Sequence, residues 1–191
     1  MTASFPNPSI FTDAITFRPF ERQKDEAMLL EWMHKPHVIP YWHLNLSKTA
    51  FSRHLDKALS DTHQRLWIGL YEGIPMSYWE TYQAKKDIIA RFYHPHPSDE
   101  GVHLLFGPET HLDRGLAFPF LAAMTDRLFS ENPNTEKVMA EPDIRNEKMI
   151  HIFYKCGYEP IKPIQLPDKT GLLMACRRDS FKKAVEMYES S

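Results

Sequence analysis

One stretch constrains this chain more than any other: Gly101 to Leu128, GVHLLFGPETHLDRGLAFPFLAAMTDRL. Its first six residues are apolar apart from His103 and are bounded by Gly101 and Gly107-Pro108, the pattern of a short strand in a sheet core. From Gly115 onward Leu116, Phe120, Ala123, Met124 and Leu128 recur at helical spacing, which predicts a helix opening at or just after the turn Leu112-Asp113-Arg114-Gly115-Leu116-Ala117. The first N–H groups of such a helix lack intrahelical acceptors and lie at the positive end of its dipole, so they can hold a phosphate or pyrophosphate. A buried strand that runs through a glycine turn into an amphipathic helix demands a layered fold of sheet and helices.

The rest of the chain supplies the layers. Ile15 to Phe20 alternates apolar and polar residues and reads as a first strand. Glu21 to His34 reads as a helix that stops before Pro36, and His37 to Trp42 as an aromatic turn. Ser47 is placed to cap a helix from Lys48 to about Leu59, with Phe51, Leu55, Ala58 and Leu59 on one face. Leu66 to Tyr71 and Met76 to Tyr82 form a hairpin around Glu72-Gly73-Ile74-Pro75. Ile88 to Tyr93 reads either as a short strand or as a helical turn. After the central strand and helix come a strand from Lys137 to Glu141, a helix from Asn146 to Cys156, strands at Tyr158 to Leu166 and Thr170 to Arg177, and a last helix capped by Asp179. This order predicts an α/β fold with a mixed, mostly antiparallel central sheet and helices on both faces, not a doubly wound one. Residues 15–191 are expected to form one domain, preceded by a flexible arm over residues 1–14.

Composition narrows the functional classes. A formal net charge of −2 gives no global basic footprint for a nucleic-acid partner and leaves open only a local basic groove. Cys156 and Cys176 lie far apart without metal-ligand spacing and are expected to be reduced, structural thiols. His94 and His96 alternate like ligands, but prolines separate and follow them and no third ligand is near in sequence, so no metal is expected. No basic segment leads into an apolar run at the N-terminus and no stretch of about 18 apolar residues occurs, so a cytoplasmic protein without a membrane partner is expected, as a monomer or homodimer.

The element order, the glycine turn and the segment from Asn146 to Gly157-Tyr158 resemble the GNAT superfamily of acyl-CoA-dependent N-acyltransferases over nearly all of Ile15 to Arg177. The Gly115-Leu116-Ala117 half of the turn matches that family's pattern, and Leu112 departs from its usual Arg or Gln. The resemblance implies acyl-CoA as cosubstrate, bound by Leu105, Leu112, Asp113, Arg114, Gly115, Leu116, Ala117, Asn146 and Phe153, with a main-chain N–H near Leu104 or Leu105 holding the oxyanion. Phe153 stands where many members carry a tyrosine acid, and Tyr154 would point about 100° away on the helix. A narrower likeness rests on Gly101 to Gly107, on His111 to Leu116 and on Glu141-Pro142-Asp143-Ile144-Arg145-Asn146. These segments resemble the subfamily that acylates hydroxylated diamines or lysine during hydroxamate siderophore synthesis.

That likeness makes His103 and Asp143 the catalytic pair and the Trp32, Tyr41 and Trp42 region the wall of the amine site. Imidazole, with a pKa of about 6.5, suits a base that takes the proton lost during acyl transfer, with Asp143 orienting the ring or binding the far end of the substrate. Each residue also has a plainer reading: His103 as a hydrogen-bonded core residue, Asp143 as a helix cap, and the three aromatics as packing. The expected reaction is transfer of an acetyl or succinyl group to an N-hydroxylated diamine or lysine-like amine by direct attack in a ternary complex. An aminoglycoside N-acetyltransferase and a catalytically idle acyl-CoA-binding domain are the alternatives.

Overall fold

The computed structural model describes residues 13–109 and 115–190. Leu112, Asp113 and Arg114, and the arm before Asp13, therefore lie outside the described residues. Seven strands, β1 (Ile15–Pro19), β2 (Gln64–Tyr71), β3 (Ile74–Gln83), β4 (Glu100–Phe106), β5 (Lys137–Ala140), β6 (Tyr158–Gln165) and β7 (Thr170–Arg177), form one sheet in the order β1-β2-β3-β4-β5-β7-β6. Every neighbouring pair is antiparallel except β4 and β5. The helices are α1 (Arg22–Met33), α2 (Ile39–Trp42), α3 (Lys48–Ser60), α4 (Ala117–Glu131), α5 (Glu147–Lys155) and α6 (Arg178–Glu189).

Side chains alternate across each strand, so the sheet buries two faces. On one, Val102, Leu104, Trp79 and Val138 pack against Phe120, Leu121 and Met124 of α4 and against Phe153 and Phe181. On the other, Tyr78, Ile68 and Leu105 pack against Leu29, Trp32, Phe51 and Leu55 of α1 and α3. A third cluster, with Tyr82, Ile89, Met139, Ile164 and Leu173, lies where β3 leads into two 3₁₀ turns at Ala84–Lys86 and Ile88–Arg91. Among the described residues no helix is long and apolar enough to cross a membrane.

Several boundaries differ from the sequence reading for local reasons. Only Glu72 and Gly73 are needed to turn the β2–β3 hairpin, so Ile74 and Pro75 join β3, with Tyr71 opposite Ile74. The aromatic turn becomes the four-residue helix α2, with Pro40 inside its first turn, where a missing N–H is tolerated. The ambiguous Ile88 to Tyr93 segment is a 3₁₀ turn capped by the Asp87 side chain, which accepts from Ile89 N–H at 3.1 Å. Asp179 does not cap α6. β7 runs directly into that helix, Arg177 takes the cap position, and Asp179 falls in the first turn.

Candidate active site

The site begins as a gap in the sheet. β4 and β5 are partners only at Glu100–Val138 and Gly101–Met139, and beyond these positions the two strands part. Gly107 N–H donates to Met76 O at 3.0 Å, and Ala84 N–H to Asp99 O at 3.0 Å. Because alternate residues of a ladder point the same way, Gly101, His103 and Leu105 turn their backbone groups toward β3, and Val102, Leu104 and Phe106 turn theirs toward the gap. Leu104 N–H therefore faces the gap, whereas Leu105 bonds into β3 and packs its side chain in the α1–α3 core. A cleft of about 310 Å³ passes through the gap, with Val102, Leu104, Met149 and Phe153 toward one face and Trp42, Glu80 and His103 toward the other.

His103 is held on both sides. Opposite it on β3 stands Glu80, whose Oε2 lies 2.9 Å from Nδ1. Nε2 is in a short contact with Glu141 Oε1, just past the end of β5. The outer oxygens are also bound: Tyr78 OH donates to Glu80 at 2.9 Å and Tyr82 OH to Glu141 at 2.7 Å. Gly101 allows this second phenol to approach, since a Cβ there would stand 2.2 Å from the Tyr82 ring.

The electrostatics follow from burial. Desolvation opposes the charge on His103, but attraction to Glu141 and hydrogen bonds to both carboxylates outweigh it and raise the ring from 6.5 to about 10. Burial likewise pushes Glu141 up, and the imidazolium overrides it and brings Glu141 down to about 2. Glu80 is lowered in the same balance, burial opposing and His103 prevailing. Burial, reinforced by the neighbouring glutamates, keeps Tyr78 and Tyr82 protonated as donors. With both nitrogens engaged the ring has no lone pair to offer, so this geometry is a clamped imidazolium and not the free base of the sequence reading.

Asp143 does not touch this trio. Its carboxylate receives Arg145 Nε at 2.9 Å, an Arg145 terminal nitrogen at 2.7 Å and the Arg145 backbone N–H at 2.9 Å. These bonds, led by that of the Arg145 side chain, lower its pKa. Nor does it cap α5, since the Asn146 side chain accepts from Met149 N–H at 3.2 Å. The partner that faces His103 is Glu141, two residues earlier. Glu141 is thus the functional candidate that sequence reasoning missed, and Glu80, legible in sequence only as an acidic residue near the entrance, becomes the second partner of His103. The available signal was a carboxylate within each of two apolar strand segments, and without the β3–β4 register nothing tied either one to His103.

Tyr41 and Trp42 line the cleft, and the Trp42 ring meets Tyr78 and His103 edge-on at 5.7 and 6.4 Å. Trp32 does not. It is buried in the core, where Gly107 leaves room for it. Asn146 and Phe153 line the other face of the cleft, while Tyr154 is exposed. Gly115 takes a φ of +72°, a conformation that favours glycine, and leads through Leu116 into α4. Pro119 at the third position of α4 lacks an N–H, leaving Leu116, Ala117 and Phe118 as the donors that open the helix. Among the described residues His94 joins no ligand cluster, whereas His96, Asp99 and Glu136 bring ligand atoms within 4.8 Å of one another. The Lys137 ammonium, 3.3 Å from Asp99, already supplies a cation there.

The cleft's charged lining comprises Glu80, Asp87, Glu141, Asp143 and Asp168 against His103 and Lys169, an excess of negative charge. Residues 21–166 match the family described as the acetyltransferase (GNAT) domain. The chain is 36% identical over 165 residues to the N-hydroxyputrescine acetyltransferase of Acinetobacter baumannii, covering 86% of this chain and 78% of that one. Among solved structures, an uncharacterized protein from Bacillus halodurans is 46% identical with a TM-score of 0.89, covering 92% of this chain and 90% of that one. The aminoglycoside acetyltransferase AAC(6')-Ib, solved with an aminoglycoside and acetyl-CoA, shares the fold at 24% identity and a TM-score of 0.79, covering 90% of this chain and 97% of that one. From fold, cleft and similarity together, the chain belongs to the GNAT acetyltransferase family and is an acyl-CoA-dependent N-acyltransferase.

Proposed function

We propose that this enzyme transfers an acyl group, acetyl in preference to succinyl, from acyl-CoA to the N-hydroxylated nitrogen of a diamine or lysine-like amine, forming a hydroxamate for a siderophore. The observation that carries the reading is the clamped imidazolium in an acidic cleft. An alkylammonium of pKa about 10 must lose a proton before it can attack, and here the imidazole has no free lone pair to take it. A hydroxylamine nitrogen is far less basic and arrives uncharged. The acidic lining favours a cationic far end on the substrate and disfavours the extra carboxylate of a succinyl donor. The similarity to an N-hydroxyputrescine acetyltransferase supports the same substrate class.

In the reaction the nitrogen attacks the thioester carbon, Leu104 N–H stabilises the oxyanion, and the N–C bond forms as the C–S bond breaks. Once the N–C bond has formed the nitrogen is acidic enough to give its proton to a carboxylate oxygen of Glu80 or Glu141, with no lone pair needed from the imidazole, and the leaving thiolate takes one up from solvent. Gly115 and the first N–H groups of α4 would hold the CoA pyrophosphate. Asn146 and Phe153 would flank its arm. We place the enzyme in the cytoplasm, as a monomer or homodimer serving iron acquisition.

The test is CoA release with acetyl-CoA or succinyl-CoA and a panel of N-hydroxyputrescine, N-hydroxycadaverine, N-hydroxylysine, their unhydroxylated parents and an aminoglycoside. Acetyl transfer to a hydroxylated amine with the highest kcat/KM is expected. The same acidic cleft also suits an aminoglycoside, and preference for that substrate, or for the unhydroxylated amines, overturns the proposal.

A further inference from the structure

Helix α2 carries Tyr41 and Trp42, yet it has only four residues, none of them fully buried. Its N–H groups bond back to the turn after α1, Ile39 to Lys35 O and Tyr41 and Trp42 to Val38 O, each at 3.1 Å, so what it leaves open is its carbonyl end. His43 N–H closes onto Ile39 O at 3.2 Å, and His43 then turns away with a φ of +53°, so the Pro40 carbonyl is among the acceptors a helix end leaves open. Arg145 fills that position from across the cleft, donating to Pro40 O at 3.0 Å. The same guanidinium is fixed on Asp143 through two further bonds, and Tyr41 is close enough to act on it electrostatically.

The far side of this contact is rigid. Ile144 N–H bonds to Thr170 O and Leu172 N–H to Pro142 O, both at 2.9 Å, and Asp143 bridges to Gly171, so the segment that carries Arg145 is stitched to β7. A planar fork that satisfies a carboxylate and a helix-end carbonyl together is something a lysine cannot reproduce.

We propose that Arg145 is a positioning residue for the amine: anchored by Asp143, it holds α2 so that Tyr41 and Trp42 form a fixed wall against the aliphatic part of the substrate. Asp143 then acts on substrate binding through Arg145 and does not touch the reacting atoms. This rests on the amine-acylation reading given above.

The test is steady-state kinetics on Arg145→Ala, Arg145→Lys, Asp143→Ala and the double variant, with whichever amine the unaltered enzyme acylates fastest. Expected are an amine KM raised about tenfold in Arg145→Ala, with kcat and the acyl-CoA KM held near their original values. Arg145→Lys should recover part of the loss, and the double variant should be no worse than Asp143→Ala alone. An unchanged amine KM in Arg145→Ala overturns the proposal. So does a collapse of kcat in Asp143→Ala, which would put that carboxylate in the chemistry. If the fastest amine carries no hydroxyl, the substrate assignment fails while the same KM comparison still judges the latch. Hydrogen exchange over residues 39–44 reads it without turnover: those amides should exchange faster in Arg145→Ala, and equal protection refutes the role.

Discussion

Among the described residues two imidazoles sit between a pair of carboxylates; the rings are similarly exposed, 27% for His103 and 20% for His63, and it is the carboxylates that differ. His103 lies between Glu80 and Glu141, both on or just beyond strands, with side chains 13% and 4% exposed. His63 lies between Asp61, at Nδ1, and Asp87, whose Oδ2 is 3.6 Å from Nε2, on loops with carboxylates 36% and 21% exposed. The outer carboxylates have other work. Asp61 is lowered first by the His63 backbone N–H, and Asp87 caps a 3₁₀ turn. The inner carboxylates have a tyrosine each and otherwise depend on the ring. Burial is what turns an arrangement of three side chains into an obligatory ionic unit, because a buried charge left without its partner costs several kcal/mol while an exposed one is rescued by water.

The largest consequence should follow from His103→Ala. It leaves two buried carboxylates facing each other, and a loss of about 3–5 kcal/mol in denaturant unfolding is expected, together with at least about a hundredfold in kcat. Stability equal to the unaltered enzyme would show that the charges are not obligatory. Next comes the pH dependence, checked by urea unfolding of the enzyme against His103→Gln. A pKa raised from 6.5 to about 10 on folding contributes stability that is fully present below pH 6.5 and is lost as pH rises through about 10. Glu141, lowered from 4.5 to about 2, contributes above pH 4.5 and loses that contribution as pH falls through about 2. The advantage over His103→Gln should therefore shrink from pH 6.5 upward, and a constant margin to pH 9 would contradict the clamp.

Glu141→Gln should act more mildly, since one carboxylate remains. The His103 ring, followed by NMR, should titrate well below its original midpoint, and an unmoved midpoint would make Glu80 the sole anchor. The smallest effect belongs to the outer trio. His63→Ala should change stability by about 0–1 kcal/mol and leave kcat unaltered.

The sequence showed some of this and hid the rest for physical reasons. Helix α3 was legible because its signals are local: Ser47 accepts from Ala50 N–H at 3.3 Å, and Phe51, Leu55 and Ala58 share the buried face. The strand Glu100–Phe106 and the helix that opens at Ala117 were legible for the same reason. Trp32 and Trp42 look alike in sequence, and one is core while the other walls the cleft, because only the packing of α1 and α2 against the sheet separates them. His103 stood out as a polar residue in an apolar strand. Its partner did not, because pairing with Glu80 is a matter of register between strands joined by a 3₁₀ excursion. Choosing between Glu141 and Asp143 required knowing where β5 ends, at Ala140, after which strand alternation no longer says which way a side chain points.

The gap between β4 and β5 has one further consequence. An unpaired strand flank is ordinarily a hazard, a template on which other chains aggregate. Here it opens into the cleft, with α5 on one face and α2 on the other, and His37 Nε2 meets Phe106 O at its far end at 2.8 Å. If acyl-CoA lay along β4, it would pair with this flank and count among the contacts of the folded state. At a concentration one hundred times its dissociation constant, such a ligand adds about 2.7 kcal/mol to the stability of the fold. The cellular supply of acyl-CoA would then set how long this enzyme survives as well as how fast it works.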